Sequence, residues 1–232
     1  MSPEARAIVF DLDDTLYPYR AFLRSGFAAV SAYLERAHGV NRAWVLRWLI
    51  RASRGSERGR ELQACLAVLR LSPALLPILL RTLRAHDPAI RLPRVTARAL
   101  DALRADGWRL GILTNGAPAV QARKVCALGL PGRVDAVVFA AEHGTGAGKP
   151  EPAPFAEIAR RLDVDPARVV VVGNDARADV GGAARAGMRA VACAAWTPGD
   201  RDLPAGTPSV ARLADVAVVA TLVLEEAGRH AA

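Results

Sequence analysis

The chain has 232 residues, of which 52% are hydrophobic, and a formal net charge of +8. A chain of this length can bury a substantial core, and none of its apolar runs approaches the roughly 20 residues that cross a bilayer. The positive charge comes from arginines spread through the sequence without a basic tail or an RNA-binding motif, so we expect no nucleic-acid partner and no membrane association. The amino terminus lacks the features of a secretory signal, which predicts a cytoplasmic protein, and the choice between monomer and homodimer stays open.

Cysteine and lysine usage lead to two further expectations. The cysteines, Cys65, Cys126 and Cys193, are far apart and odd in number, which predicts buried thiols rather than a disulfide framework or a zinc site. Only two of the 31 basic residues are lysines, Lys124 and Lys149. Lys149 lies in a glycine-rich loop, where a compact ammonium can approach a small, crowded anion without the width of a guanidinium group.

The first apolar run, residues 8–10, is followed by Asp11 and Asp13. The run predicts a buried strand, so both acids should lie at its carboxyl end, where open parallel sheets bind ligands, and should point the same way. Two such acids can share a divalent cation, or one can attack while the other carries a proton. A calcium-binding EF-hand loop is excluded because Leu16 and Phe22 stand where Gly and Glu are required, whereas an ordinary turn remains an alternative for this segment.

Residues 17 to about 88 show helical patterns with few strand signals, which is typical of an insertion. Asn41 can cap a helix that carries Trp44 and Trp48, and we expect both tryptophans to pack in a core.

From residue 93 onward, helical patterns alternate with short apolar runs. Strands that alternate with helices imply a parallel sheet with both faces covered, so the expected fold class is α/β. The predicted strands cover residues 8–10, 110–113, 136–140, 169–172 and 190–194. The predicted helices cover residues 93–106, 118–128, 152–162, 176–186 and 213–227.

Three later strand ends also carry polar residues. Thr114 and Asn115 precede a glycine, where a hydroxyl and backbone N–H groups can hold the oxygens of an anion, although Thr-Asn-Gly is also an ordinary turn sequence. The segment 142–150 superficially resembles a P-loop but lacks the first glycine and the hydroxyl residue that a P-loop requires. The fourth strand end carries Asp175 and Asp179, which could also be carboxylates favoured by the amino terminus of a helix.

In combination, these strand ends resemble the haloacid dehalogenase-like (HAD) superfamily, whose four motifs occur in this order: Asp11-x-Asp13, Thr114, Lys149 and Asp175-x-x-x-Asp179. The resemblance covers nearly the whole chain, and residues 148–155 are similar to the third motif of that family. It implies a core domain with a Rossmann-like parallel sheet, residues 1–16 and 89–232. It also implies an inserted α-helical cap domain of subclass I, residues 17–88.

The resemblance also implies a phosphatase mechanism. Asp11 would attack a phosphoryl group to form an aspartyl-phosphate that water later hydrolyses, and Asp13 would protonate the departing alkoxide and then deprotonate the water. HAD dehalogenases lack an acid at this second position because a halide needs no proton, so Asp13 favours phosphate-ester chemistry. Thr114 and the Asn115 amide would hold the phosphoryl oxygens, and Lys149 would neutralise both the phosphate and the nucleophile.

Mg²⁺ is the cofactor that the resemblance implies, held by Asp11, by the backbone carbonyl of Asp13 and by the last acid pair. Many relatives place Asp directly after the glycine of the fourth motif, whereas this chain has Asn174 followed by Asp175. Either side chain could reach the metal, and we favour Asp175 for its charge. Asp179 would bind the metal through water or orient the motif lysine.

The expected partner is a small phosphorylated metabolite, and a sugar phosphate or a nucleoside monophosphate leads the candidates. The pattern T-N-G-x-x-x-x-Q-x-x-K, which ends at Gln121 and Lys124, is similar to the branch of nucleotide and acylneuraminate phosphatases. Four residues after the first motif could contact a substrate or pack at the hinge of the insertion: Tyr17, Tyr19, Arg20 and Phe22.

Two alternatives remain at this point. A phosphomutase of the same fold would return the phosphoryl group to a sugar instead of to water, and the motifs do not separate it from a phosphatase. A receiver-like signalling module also uses Asp, Thr, Lys and Mg²⁺ on a parallel sheet. The order of the motifs and the helical insertion speak against the receiver.

Overall fold

The computed structural model describes residues 5–198 and 202–231, which form two compact units. One unit combines the residues up to Pro18 with those from Arg91 onward, and the other is Tyr19–Ile90. The insertion predicted from the sequence, residues 17–88, begins and ends two residues earlier than the second unit. No helix in the described ranges is long and apolar enough to span a membrane.

Within the described residues, the first unit is built on a parallel sheet of six strands in the order β3-β2-β1-β4-β5-β6, which confirms the predicted α/β fold with a Rossmann-like core. The strands are β1 (Ala7–Phe10), β2 (Arg109–Thr114), β3 (Ala136–Phe139), β4 (Val169–Gly173), β5 (Arg189–Cys193) and β6 (Ser209–Val210). Every residue of the central pair, β1 and β4, is buried. Parallel strands buried on both faces appear in a sequence as continuous apolar runs, which is why the pattern predicts them. The sequence does not predict β6, because a strand of two residues has no periodicity.

The second unit is helical and has an apolar core of its own. Its longer helices are α1 (Tyr19–His38), α2 (Arg42–Ala52), α3 (Glu61–Val68) and α4 (Leu76–Ala85). Its buried core consists of Phe27, Val30, Leu34, Val45, Leu49, Leu62, Cys65, Leu66 and Leu79.

Helix α2 begins as the sequence predicts but orients one tryptophan differently. Asn41 caps it, because the Asn41 Oδ1 accepts a hydrogen bond from the Trp44 N–H at 2.9 Å. Val45 and Leu49 point into the core, and Trp44 lies about 100° around the helix from Val45. The expectation that Trp44 packs in the core is therefore wrong: its side chain is 38% exposed and stacks on the ring of Trp48 at 6.4 Å between centroids.

The sheet of the first unit is covered by helices. They are α5 (Arg94–Ala105), α6 (Pro118–Ala127), α7 (Pro152–Leu162), α8 (Gly181–Arg185) and α9 (Val216–Ala231). Helix α7 approaches β2 closely, because a Cβ atom on Gly111 would lie 3.0 Å from Leu162 Cδ1 and 3.1 Å from Ile158 Cγ1. On this face Val9 and Val171 pack against α7 in one core cluster.

Two further expectations for this unit need correction. The helix predicted over residues 176–186 begins with a π-helical turn, Ala176–Val180, before the short α8. Cys65 and Cys193 are buried as predicted, but Cys126 is exposed. The inward positions of α6 are taken by residues such as Val125, which leaves Cys126 on the outer side.

The order of the strands in the sheet shows where a ligand would bind at its carboxyl edge. From β1 the chain adds β2 and β3 on one side and then returns to add β4, β5 and β6 on the other. The carboxyl ends of β1 and β4 therefore flank the topological switch point, where open α/β sheets bind ligands. The residues that follow these two strands lie at this position.

Candidate active site

Three charged residues from distant parts of the chain meet at the switch point. Asp11 directly follows β1, and its N–H donates to the carbonyl of Val172 on β4 at 2.9 Å. Lys149 Nζ contacts Asp11 Oδ1 at 2.6 Å and Asp179 Oδ1 at 2.7 Å, and donates to the carbonyl of Leu113 at 2.8 Å. The ammonium therefore uses its three donors on three buried oxygens. We call Asp11, Lys149 and Asp179 the Lys149 centre.

The Lys149 centre carries unbalanced negative charge, because two carboxylates face one ammonium. Burial raises the pKa of Asp11 to about 7 against the attraction of Lys149, and the neighbouring Asp179 adds to the rise. Burial also disfavours the charged form of Lys149, yet the two carboxylates hold its pKa above the usual value. A further cation beside these carboxylates would reduce their repulsion.

The chain after β4 is shaped to bring Asp179 against the sheet. The Asp179 carboxylate accepts a hydrogen bond from the Asp175 N–H at 3.0 Å through Oδ2. A Cβ atom on Gly173 would lie only 2.2 Å from that same Oδ2, so position 173 has no room for a side chain. The π-helical turn between them is a feature often found at functional sites.

The two candidate metal ligands of the fourth motif are used differently. Asp175 is exposed, and its Oδ1 accepts hydrogen bonds from the N–H groups of Arg177 at 2.9 Å and Ala178 at 2.6 Å, which caps the following turn. Asn174 instead accepts a hydrogen bond through Oδ1 from the hydroxyl of the buried Thr15 at 3.2 Å. The side chain that contacts the segment after β1 is therefore that of Asn174.

Asn115 holds the backbone of the loop that carries Lys149. Its Oδ1 accepts from the Lys149 N–H at 2.7 Å, and its Nδ2 donates to the Lys149 carbonyl at 3.0 Å. Gly148 has a φ of +79°, and a Cβ atom there would lie 2.6 Å from the same Asn115 Oδ1. The contact therefore requires glycine at position 148 both for its conformation and for its size.

Asp13 lies in a second charged group. Its Oδ1 accepts a hydrogen bond from the Tyr17 hydroxyl at 2.6 Å, and its Oδ2 contacts Lys124 Nζ at 2.6 Å and Gln121 Nε2 at 3.2 Å. Burial lowers the pKa of Lys124, and the attraction of Asp13 opposes this change. Gln121 also donates to the buried hydroxyl of Thr114 at 2.5 Å, which links the first and second motifs. We call Asp13, Tyr17, Gln121 and Lys124 the Lys124 centre.

Sequence reasoning did not predict the contacts of the Lys124 centre. It used Gln121 and Lys124 only as part of a resemblance, and it offered Tyr17 as a substrate contact or a hinge residue. The Tyr17 ring is fully buried, and its hydroxyl binds Asp13. A usable signal was present, because Lys124 is the other lysine in a chain that otherwise uses arginine.

The donors that follow β1 and β4 suit a hard divalent cation. They are the carboxylates of Asp11 and Asp179, which meet at Lys149 Nζ, and the amide oxygen of Asn174, the residue directly after β4, and Mg²⁺ prefers oxygen ligands. The unbalanced negative charge of the Lys149 centre favours the same ion. In the part of the chain that the structure describes, no three His, Cys, Asp or Glu side chains form a metal-binding group.

Comparisons with known proteins identify the family of the chain. Residues 5–187 match the family model described as haloacid dehalogenase-like hydrolase. The chain is 31% identical to the glyceraldehyde 3-phosphate phosphatase of Methanothermobacter thermautotrophicus, over 80% of this chain and 84% of the relative. It is 30% identical to the ribulose-1,5-bisphosphate 5-phosphatase of Halopiger xanaduensis, over 81% and 84% of the two chains.

A solved structure shows the same fold. The crystal structure of the HAD-hydrolase YfnB from Bacillus subtilis, bound to magnesium, superposes with a TM-score of 0.64 at 18% identity and covers 93% of this chain and 98% of that one. The family match over most of the chain, the two relatives and the shared fold lead to one conclusion. The chain belongs to the haloacid dehalogenase-like hydrolases.

Proposed function

We propose that the protein is a Mg²⁺-dependent phosphatase that hydrolyses the monoester of a small sugar phosphate through an aspartyl-phosphate on Asp11. The observation that carries the proposal is the 2.6 Å contact between Asp11 Oδ1 and Lys149 Nζ at the carboxyl end of the central strand. Two relatives of about 30% identity support the substrate class, because both are named as phosphatases of phosphorylated sugars. These names favour a sugar phosphate over the nucleoside monophosphate that the sequence also suggests. The cytoplasmic location stays a prediction from the sequence.

In the first step, a carboxylate oxygen of Asp11 attacks phosphorus and the bond between phosphorus and the ester oxygen breaks. Asp13 enters this step as the carboxylic acid and gives its proton to the departing alkoxide, which leaves it as the carboxylate. Lys149 lowers the repulsion between the anionic nucleophile and the anionic phosphate. The Thr114 hydroxyl and backbone N–H groups of the same turn bind the oxygens of the transferred group.

In the second step, Asp13 takes a proton from a water molecule whose oxygen attacks phosphorus. The bond between phosphorus and the Asp11 oxygen breaks, which releases inorganic phosphate and restores both carboxyl groups to their starting forms. The same residue thus acts first as an acid and then as a base, because it recovers from water the proton that it gave to the leaving group. The acid at position 13 also favours this chemistry over dehalogenation, because a departing halide takes no proton.

We propose that Mg²⁺ is held by the Asp11 carboxylate, the Asp13 backbone carbonyl and the Asn174 amide oxygen, with Asp179 contributing through water. When bound, the ion supplies positive charge to the phosphoryl oxygens. The proposal replaces Asp175, which the sequence favoured for its charge, because the Asp175 carboxylate caps the turn after β4.

The experiment is a panel of phosphorylated metabolites incubated with the protein and Mg²⁺, with free phosphate as the readout. We expect the highest kcat/KM for a sugar phosphate. The Asp11→Asn variant, which keeps the shape of the side chain, should lose on the order of 10⁴-fold or more while its fold is unchanged by circular dichroism. Near-normal activity of that variant would refute Asp11 as the nucleophile.

The same panel separates the phosphomutase. Stoichiometric release of free phosphate supports hydrolysis, whereas conversion of a sugar phosphate into its isomer without free phosphate would favour transfer back to the sugar. A stable phosphoprotein without turnover would favour the receiver-like module.

A further inference from the structure

The carboxylate of Asp13 is held from three sides by buried donors. Tyr17, Gln121 and Lys124 are 0%, 2% and 3% exposed, whereas the Asp13 side chain keeps 27% exposure. The donors come from two different elements, because Tyr17 follows β1 and the other two lie three residues apart on α6. The Asp13 carboxylate is therefore held by buried donors and is itself partly exposed, so it can contact a bound molecule.

We propose that Lys124, together with Tyr17 and Gln121, fixes the Asp13 carboxylate for proton transfer and is thereby a positioning residue for departure of the leaving group. The inference rests on the proposed phosphatase function. Proton transfer requires heavy atoms within about 2.6–3.2 Å of each other. A carboxylate that rotates freely about its side-chain bonds satisfies this condition only part of the time.

The energetics of the Lys124 centre support a role beyond packing. Burying an ammonium costs free energy that its partner seldom repays in full, and a well-packed apolar side chain on α6 would serve stability as well or better. Within the Lys124 centre one ammonium faces one carboxylate, whereas the Lys149 centre has two carboxylates for its ammonium. The three donors, at 2.6 to 3.2 Å, instead hold the Asp13 carboxylate in one orientation.

The test uses Lys124→Met, which keeps the length of the side chain and removes its charge. With enzyme in excess, release of the first product is followed for two substrates in the presence of Mg²⁺: the best sugar phosphate of the panel and p-nitrophenyl phosphate. The alkoxide of the sugar needs a proton to leave, whereas p-nitrophenolate does not. We expect a loss of about 100-fold for the sugar phosphate and of less than about 3-fold for p-nitrophenyl phosphate.

Three further variants keep the test decisive. Tyr17→Phe retains the buried ring and removes one donor, so it should show the same preference for the good leaving group with a smaller loss of about 10-fold. Combined with Lys124→Met it should cost less than the product of the two losses, because both act on one carboxylate. Arg123→Met removes the same charge from the adjacent position of α6 and should show no leaving-group preference. Should Lys124→Met fail to fold, Tyr17→Phe alone decides.

Equal losses for the two substrates, or no loss for either, would overturn the inference and leave Lys124 a structural residue. A leaving-group preference in Arg123→Met would overturn it as well. A wild-type protein that releases phosphate from neither substrate would overturn the proposed function itself, so the two failures are distinguishable.

Discussion

The two buried lysines of this chain lie in centres of different charge. Lys149 contacts two carboxylates, Asp11 and Asp179, so its centre carries one net negative charge when both are ionised. Of the four residues of the Lys124 centre, Asp13 is the one carboxylate, and it contacts Lys124 Nζ at 2.6 Å. The first centre is built to accept more positive charge and to bring anions together, and the second is built to hold one carboxylate still. The number of carboxylates around a buried lysine therefore indicates what the lysine is for.

The centres also differ in how the lysine is placed. Lys149 lies in a loop, and its backbone is held from both sides by the Asn115 side chain. Lys124 lies on α6, where Gln121 is its neighbour three residues earlier on the same face. A lysine in a loop depends on contacts distant in the sequence, whereas a lysine on a helix is oriented by the helix itself.

Among the lysine variants, the largest expected effect comes from Lys149→Met. Without the ammonium, Asp11 repels the phosphate, and we expect kcat/KM to fall by about 10³-fold for both a sugar phosphate and p-nitrophenyl phosphate. The loss should be independent of the leaving group, in contrast to Lys124→Met. Single-turnover kinetics with both substrates measure this difference.

Lys149→Arg is the matched control for charge. A planar guanidinium cannot direct donors at the three oxygens that lie 2.6 to 2.8 Å from Nζ, so we expect little recovery of activity. Full activity of the arginine variant would show that charge alone is required, and would remove the geometric part of the comparison.

Binding of Mg²⁺ should distinguish the centres without any turnover. A ligand at 100 times its Kd stabilises a protein by about 2.7 kcal/mol, which corresponds to a rise in Tm of roughly 5 °C or more for a chain of this size. We expect Mg²⁺ to raise the Tm of the wild type and of Lys124→Met alike, and to have a much smaller effect on Asp11→Asn. A clearly larger Mg²⁺ effect in Lys124→Met than in the wild type would place the ion at the Asp13 side-chain oxygens instead, because that substitution removes the cation that competes for them.

The Lys149 centre can be predicted from the sequence because the topology of the sheet determines where its residues meet. The carboxyl ends of parallel strands meet at one edge, so polar residues after the runs that became β1, β3 and β4 had to come together. The strands themselves were visible because β1 and β4 are buried on both faces. The prediction of the strands and the prediction of the shared edge both rest on patterns that span several residues of the sequence.

The remaining features depend on geometry that a pattern does not carry. Our proposal of Asn174 in place of Asp175 rests on the N–H groups of the next turn, which donate to the Asp175 carboxylate, and the sequence does not show this contact. The contacts of Asp13 depend on the rotation of α6 about its axis, which also places Cys126 outside. The rarity of lysine was an argument for Lys124 as much as for Lys149, and it was applied only to the latter.

Gly173→Ala should have the smallest effect of these changes, because it adds a single methyl group beside Asp179. The added Cβ would lie 2.2 Å from Asp179 Oδ2, so the carboxylate has to move away from Lys149 or β4 has to shift. We expect overpacking of this kind to lower the free energy of unfolding by about 1–3 kcal/mol. The first step of catalysis should slow equally for both substrates, because the Lys149 centre is disturbed and the Lys124 centre is not.

Gly228→Ala is the control, because it makes the same substitution in α9 where no atom lies within 4 Å of the new Cβ. Alanine is the better helix former by about 1 kcal/mol, so this variant should be as stable as the wild type or slightly more so. Urea unfolding of the two variants measures the contrast. A Gly173→Ala protein with wild-type stability and activity would mean that Asp179 does not need its place against β4, and the Lys149 centre would then rest on Asp11 and Lys149 alone.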